Sequence, residues 1–293
     1  METITTDYSQ KRERTELILK KVNTLAPIPK LLTEVLELLN DQYTSPHILS
    51  KAISKDQSVV LKLLTIANSP FYGLTKRVSS IEFAIMILGY DEIRNIVSAL
   101  SLMESMKNKS DQYLDQKNFW MHSYITATIS KKIAMDFGLE KSGEAFLAGL
   151  LHDLGISVVH RFMHSDFVNI CELVSNGASY LDAEKQVLGI DHQTVGEMLL
   201  KNWNIPELIC NIVKNHHSPN LSQEAPVLSS VVHLADYMTQ KLQMGELKWD
   251  GSIELNEHIF NNLHFKDLAD LGKFIENYRE PLAGQLESLR YLI

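Results

Sequence analysis

Cysteine is scarce in this chain. Among its 293 residues only Cys171 and Cys210 occur, with no CxxC pair. That argues against a disulfide framework and against a thiolate zinc site, and it leads us to expect a reducing compartment, the cytoplasm. Long apolar runs are missing too. No stretch of about 18 uncharged apolar residues is present, so no membrane span is expected, and the opening METITTDYSQKRER lacks the apolar core of a signal peptide. Positive charge is in deficit: a net charge of -8 argues against general nucleic-acid binding, which needs a basic footprint. Internal repeats and low-complexity segments are absent, and strand-like alternation is rare. What remains is ordinary for a soluble globular chain, with 45% hydrophobic and 22% charged residues. The length suits one large or two modest domains.

Apolar residues recur three and four apart almost throughout, which predicts an all-α fold. LLTEVLELL (31–39) carries a face of Leu31, Val35, Leu38 and Leu39. Ser45-Pro46 reads as an N-cap followed by proline at the first helical position. Asp56 reads as the cap of a helix with Val60, Leu63, Leu64 and Ala67 on one face, broken by ANSPFYG (67–73). Ser79 with Glu82 reads as a capping box opening SIEFAIMILG, and Asp91 as the cap of the next helix. These short helices predict a compact bundle over roughly residues 15–107. The polar stretch KNKSDQYLDQK (107–117) reads as a connector. The expected architecture is therefore two packed helical subdomains, residues 1–110 and 111–293. In the second, helices are expected in NFWMHSYITATISKKIAMDFG and EAFLAGLLHDLG, near 192–203, from Pro206 to His216, and from about 227 to 242. The tail after 245 has helical fragments and no chemical motif.

Polar residues in phase with apolar stripes carry the chemical signal. In PELICNIVKNHH, Ile209, Ile212, Val213 and His216 fall at i, i+3, i+4 and i+7, with His217 about 100° round. In VLSSVVHLADYM, Leu228, Val231, Val232, Ala235 and Asp236 share one face. A carboxylate there is costly unless it is paired, hydrogen-bonded or metal-bound. His122, His152, Asp153 and His192 also sit on helices or at helix ends. Each has a plainer reading alone: His152-Asp153 as a core residue and a cap, His216-His217 as a surface pair before Pro219, and His192 as an exposed first-turn residue after the cap Asp191. Taken together, the seven could converge on one interior site, as in helical di-metal proteins. Nitrogen and oxygen donors without thiolate suit iron, manganese, zinc or nickel. His233, three residues before Asp236, reads first as a supporting residue behind such a site, with a ligand or a plain helix-surface residue as the alternatives. His47, His160, His164, His258 and His264 have no partners in phase and read as structural or solvated.

The order of these residues is itself informative. A histidine, then HD, a lone histidine, HH and an aspartate resembles the HD superfamily of metal-dependent phosphohydrolases. With LAPIPKLLTEVLELLND, ISKDQSVVLKLLTIANSPFYG, SSIEFAIMILGYDEIRNIV, DHQTVGEMLLKNWNIP and VKNHHSP, the chain resembles the HDOD family from about residue 22 to 240. The resemblance implies an all-helical fold and a bacterial signalling or regulatory role; the expected architecture is an N-terminal helical bundle with an HD-like bundle, and a protein partner or a small signalling ligand is expected to read the surface. It matches His122, His152, Asp153 and Asp236 to the primary HD ligands. His192, His216 and His217 match the extra ligands of HD-GYP phosphodiesterases, which cleave cyclic di-GMP, so one or two divalent ions are implied. Three departures concern substrate handling. Ile156 stands where those enzymes carry a lysine, Ser218 follows HH where they carry a glutamate, and SPNLSQEAP replaces the GYP-bearing stretch. Asn118 stands where some have a ligating glutamate, a position behind the first histidine. Metal binding is expected ahead of turnover; the alternative is a phosphohydrolase with Asp153 bridging two ions.

Overall fold

A computed structural model of the chain describes residues 2–25, 29–68, 72, 74–242 and 254–280. Within them the fold is all-helical, with no strand. The elements are α1 (Glu2–Leu25), α2 (Lys30–Asn40), α3 (Pro46–Ile53), α4 (Gln57–Ala67), α5 (Ile81–Leu88), α6 (Tyr90–Ser105), α7 (Gln116–Asp136), α8 (Ser142–Leu151), α9 (Leu154–Phe162), α10 (His164–Ser175), α11 (Tyr180–Leu188), α12 (His192–Asn202), α13 (Glu207–Asn215), α14 (Pro226–Lys241), α15 (His258–Asn262) and α16 (Leu268–Glu276). No helix of the described residues is long and apolar enough to cross a membrane.

Caps set several of these boundaries. Ser45 accepts from the Ile48 N–H with Pro46 at the first position, and Asp56 accepts from Ser58 and Val59. Two boundaries differ from the sequence reading. The cap of α5 is Ser80, in extended backbone and accepting from Phe83, so the Ser79–Glu82 box is displaced by one residue. Asp91 lies inside the first turn of α6, which starts at Tyr90 because Gly89, at φ 83°, turns the chain directly from α5 into α6. The turn ANSPFYG is described only in part, since residues 69–71 and 73 lie outside the described residues. Its base is closed by Asn68, whose amide donates to the Val78 carbonyl and accepts from the Val78 N–H, both at 2.8 Å.

One apolar core runs through both halves. Its axis is α7, buried on almost every face. Hydroxyls there are satisfied locally: Ser123 donates to the Phe119 carbonyl and Thr128 to Tyr124. Helices α8 and α14 both pack on α7, and Thr126 of α7 meets Thr239 of α14 at 3.1 Å. The halves are joined by a buried polar lock. Lys131 of α7 pairs with Glu92 of α6 at 2.5 Å and lies over the Tyr72 ring, whose hydroxyl donates to Glu92. Helix α1, too polar to show strong periodicity, packs on α11 and α12. Thr15 donates to the Leu188 carbonyl, and Arg14 pairs with Asp166 at 2.7 Å.

The closest helix contact sets the geometry of the HD segment. A Cβ on Gly155 would stand 2.0 Å from the His192 carbonyl oxygen. Only glycine lets α9 reach the start of α12. We expect Gly155→Ala to destabilise the chain by about 1–3 kcal/mol through overpacking, read as a lowered urea midpoint with unchanged slope. A variant as stable as the parent would show that α9 and α12 are not in this register.

Candidate metal centre

The seven residues singled out in the sequence come from seven positions in the fold and meet at one interior point. His122 projects from the second turn of α7. His152 ends α8, and Asp153 stands at the N-cap position of α9. His192 opens α12, His216 and His217 follow α13, and Asp236 lies in the third turn of α14. His152, His192 and His216 are 0% exposed, Asp236 1%, His122 2% and Asp153 3%; His217 is half-buried. An aspartate at an N-cap ordinarily accepts from the first turn. Asp153 makes no such bond, and its carboxylate turns inward instead.

Asp153 divides the site in two. On one side its Oδ2 is 3.1 Å from His152 Nε2 and 3.7 Å from His122 Nε2, while Asp236 Oδ1 is 3.1 Å from His122 Nε2. On the other its Oδ1 is 3.4 Å from His192 Nε2 and 3.6 Å from His216 Nε2. His217 Nε2 is 3.2 Å from His192 Nε2. The far ring nitrogens decide which protons point inward. His152 Nδ1 faces the Gly149 carbonyl at 2.8 Å and His216 Nδ1 the Val213 carbonyl at 2.7 Å. His192 Nδ1 faces Glu184 at 2.9 Å. Carbonyls and carboxylates only accept, so all three Nδ1 atoms carry a proton, and in the neutral ring each Nε2 presents a lone pair.

Lone pairs directed at lone pairs and carboxylates repel unless a cation lies between them. Asp153 Oδ1 and Asp236 Oδ1 are buried without a hydrogen bond, the state that costs most in an interior. Most of the spacings agree: donors about 2.0–2.1 Å from one ion sit about 2.9–3.4 Å apart at octahedral to tetrahedral angles, while His122 and His216 stand slightly farther from Asp153, at 3.7 and 3.6 Å. The field has the same sense. Burial opposes a charge on His152, yet Asp153 and Asp236 outweigh it and push its pKa up to about 9. Burial likewise opposes ionisation of Asp153, but His152 beside it holds the carboxyl well below its usual range. His217 is driven the other way, by burial and then by His216 and His192. The donor set is compatible with a divalent metal ion.

Two predicted supporting residues part company. His233 donates from Nδ1 to the His216 carbonyl at 2.8 Å and accepts at Nε2 from the Asn256 N–H at 2.9 Å. Both nitrogens are used, and the ring braces the loop that carries His216. Asn118 gives its backbone N–H to Asp115, and no described hydrogen bond joins its side chain to the cluster. Glu184 was not foreseen. It is 1% exposed and holds both the His192 backbone N–H and Nδ1–H. It lies one turn before buried Leu188, the same in-phase signal that marks Asp236.

His160 and His164, read as structural or solvated, converge on Asp111 Oδ2 at 2.8 and 2.7 Å. These are hydrogen-bond lengths, shorter than the spacings around Asp153. His160 Nδ1 accepts from the Asn108 amide at 2.9 Å, which leaves Nε2–H to donate. The trio fastens the connector to α9 and α10. Against burial, the His164 bond, the Leu114 N–H and His160 hold the Asp111 carboxyl well below its usual range.

The model of the HDOD domain matches residues 25–219. The chain belongs to the HDOD family. As an HDOD protein it has the fold of an HDOD domain protein of unknown function from Geobacter sulfurreducens, at 23% identity and TM-score 0.75 over 96% of this chain and 99% of that one. A provisionally named phosphohydrolase from Shewanella amazonensis is similar at 22% identity and TM-score 0.73, over 93% and 97% of the two chains. An uncharacterized protein of Treponema pallidum is 24% identical over 238 residues; the match spans 80% of this HDOD chain and 45% of that protein.

Glu184→Ala leaves two buried N–H groups of His192 without an acceptor, each worth about 1–3 kcal/mol. The expected outcome is a loss of at least about 2 kcal/mol in chemical unfolding; a loss under about 0.5 kcal/mol would remove Glu184 from the site's framework.

Proposed function

We propose that this HDOD chain is a bacterial signalling module, acting in the cytoplasm, whose HD-like half holds one or two divalent ions and does not turn over substrate. The observation that carries this reading is the pair of donor groups meeting the two oxygens of Asp153. His122, His152, Asp153 and Asp236 would hold one ion; Asp153, His192, His216 and His217 the other. A divalent ion bound there supplies Lewis acidity and a more acidic bound water.

What surrounds the cage supports a non-catalytic role. Ile156 is a core residue, 1% exposed, where the resemblance calls for a phosphate-contacting lysine. No lysine or arginine ion-pairs with Asp153 or Asp236 among the described residues. Beyond the ions themselves, an anionic substrate would meet no lysine or arginine fixed beside the cage to hold its remaining charge. On this reading the ions pin α7, α8, α12 and α14 together, and a protein partner or small ligand reads the resulting surface. Helices α2–α6 of the N-terminal part form the second half of that surface, while α1 packs on α11 and α12.

The bridging position of Asp153 favours one alternative, a metal-dependent phosphohydrolase, because two-ion hydrolases share a carboxylate in this way. The name given to the Shewanella protein points in the same direction. One experiment separates the readings. The purified chain is expected to carry about one to two first-row divalent ions by elemental analysis, Asp153→Asn to lose most of them, and neither to hydrolyse cyclic dinucleotides or simple phosphoesters. Turnover abolished by Asp153→Asn would establish the hydrolase instead. Glu184→Gln is expected to weaken metal affinity by about 10–100-fold, as loss of an imidazole's outer partner does, in a chelator-competition titration. A metal-free parent chain would refute both readings.

A further inference from the structure

Away from the histidine cluster, a cavity of about 470 Å³ lies at the seam between the two halves, within the ordinary range for small-molecule sites. Its apolar lining comes from both halves, Leu36 of α2 together with Leu147 of α8 and Leu208 of α13. Two polar side chains one turn apart on α6 also line it, Asn95 and Ser98, at 9% and 3% exposed. Neither side chain has a hydrogen-bond partner among the described residues. Their polar atoms open onto the cavity, where they can meet a ligand or water. Asn95 is held over the first turn of α8: a Cβ on Gly143 would lie 2.2 Å from its Nδ2, so the glycine makes room for the amide.

The charge of the lining narrows the ligand. Asp91, Glu92, Glu140 and Glu144 line the cavity against a single Arg94. Arg94 is taken by Asp91 at 2.9 Å, and Glu92 by Lys131. Glu140 and Glu144 have no cationic partner among the described residues. Phosphates and carboxylic acids are disfavoured by such a lining, whereas a group that only donates hydrogen bonds suits it. We propose that this cavity binds a small organic cation, a primary amine on an apolar body, with the ammonium among Glu144, Asn95 and Ser98 and the body between the leucines of the two halves.

The test uses the full chain and calorimetric titration with hexylamine and phenethylamine, with hexanol and hexanoate as matched controls. At least one amine is expected to bind, and hexanoate not at all. Glu144→Gln and Asn95→Leu are each expected to weaken the amine about tenfold or more, the scale of a lost hydrogen bond to a charged group. Circular-dichroism melts check that both variants fold, and Glu144→Gln, at a half-buried position, keeps the test open if Asn95→Leu does not. The proposal is overturned if neither amine binds, if hexanol binds as well as hexylamine, or if folded Glu144→Gln binds the amines like the parent, outcomes that would leave a hydrated cavity only.

Discussion

Two carboxylates in the interior constrain the rest of this molecule. Asp153 and Asp236 are almost fully buried, and each keeps one oxygen without a donor. Removing such charges from water costs several kcal/mol apiece unless something positive is supplied. The fold answers with imidazoles, and its own hydrogen bonds fix three of them as lone-pair donors. The arrangement is self-consistent only with positive charge at its centre, whether a proton on His152 or a metal ion. The close contact at Gly155, the brace at His233 and the buried Glu184 all hold donors at that centre. They maintain a geometry that would be a liability to an apolar core.

The two His/Asp groups of this chain make the point by contrast. At Asp111 the histidines approach to hydrogen-bond length, and every nitrogen proton of His160 can be assigned a recipient. At Asp153 the same residue types stand farther apart, with lone pairs facing inward. Residue type and burial alone would rank the two together. Proton assignment separates them, since a hydrogen-bonded knot needs complementary donors and acceptors and a coordination shell needs acceptors only.

Much of this was legible in the sequence, because helical phase reports burial. Asp236 and His216 share stripes with valines and isoleucines, and the structure buries both. His192 was ambiguous, since a first-turn residue after a cap is usually exposed; its burial depends on α9 crossing at Gly155, a tertiary contact that no local pattern encodes. The Asp111 trio was hidden for the same reason, as its members come from separate segments. Glu184 was legible and overlooked: it stands in phase with Leu188, but YLDAEKQVL also reads as an ordinary solvated helix. The cap of α5 slipped by one residue because Ser79 and Ser80 are chemically equivalent, and only backbone conformation chooses between them; that of α6 lies two residues before Asp91, at Gly89, whose positive φ no local pattern announced.

The placement of the seam cavity bears on how such a module would transmit a signal. Helix α8 starts at the cavity with Ser142 and Gly143 and ends at His152. Helix α13 starts there with Leu208 and Ile209 and ends at His216. At 1.5 Å per residue each is a rod of about 15 Å, shorter than the distance over which a packed helix bends appreciably. A translation of either helix at its N-terminus is therefore carried along its length to the C-termini, where donors on opposite sides of Asp153 stand. The other wall of the cavity belongs to α6, which the Glu92–Lys131 pair ties to α7 and hence to the helix of His122. Cavity and cluster are thus opposite ends of one rigid frame, and occupancy of either end that favours a particular spacing of α8 and α13 must by linkage favour the other end's matching state.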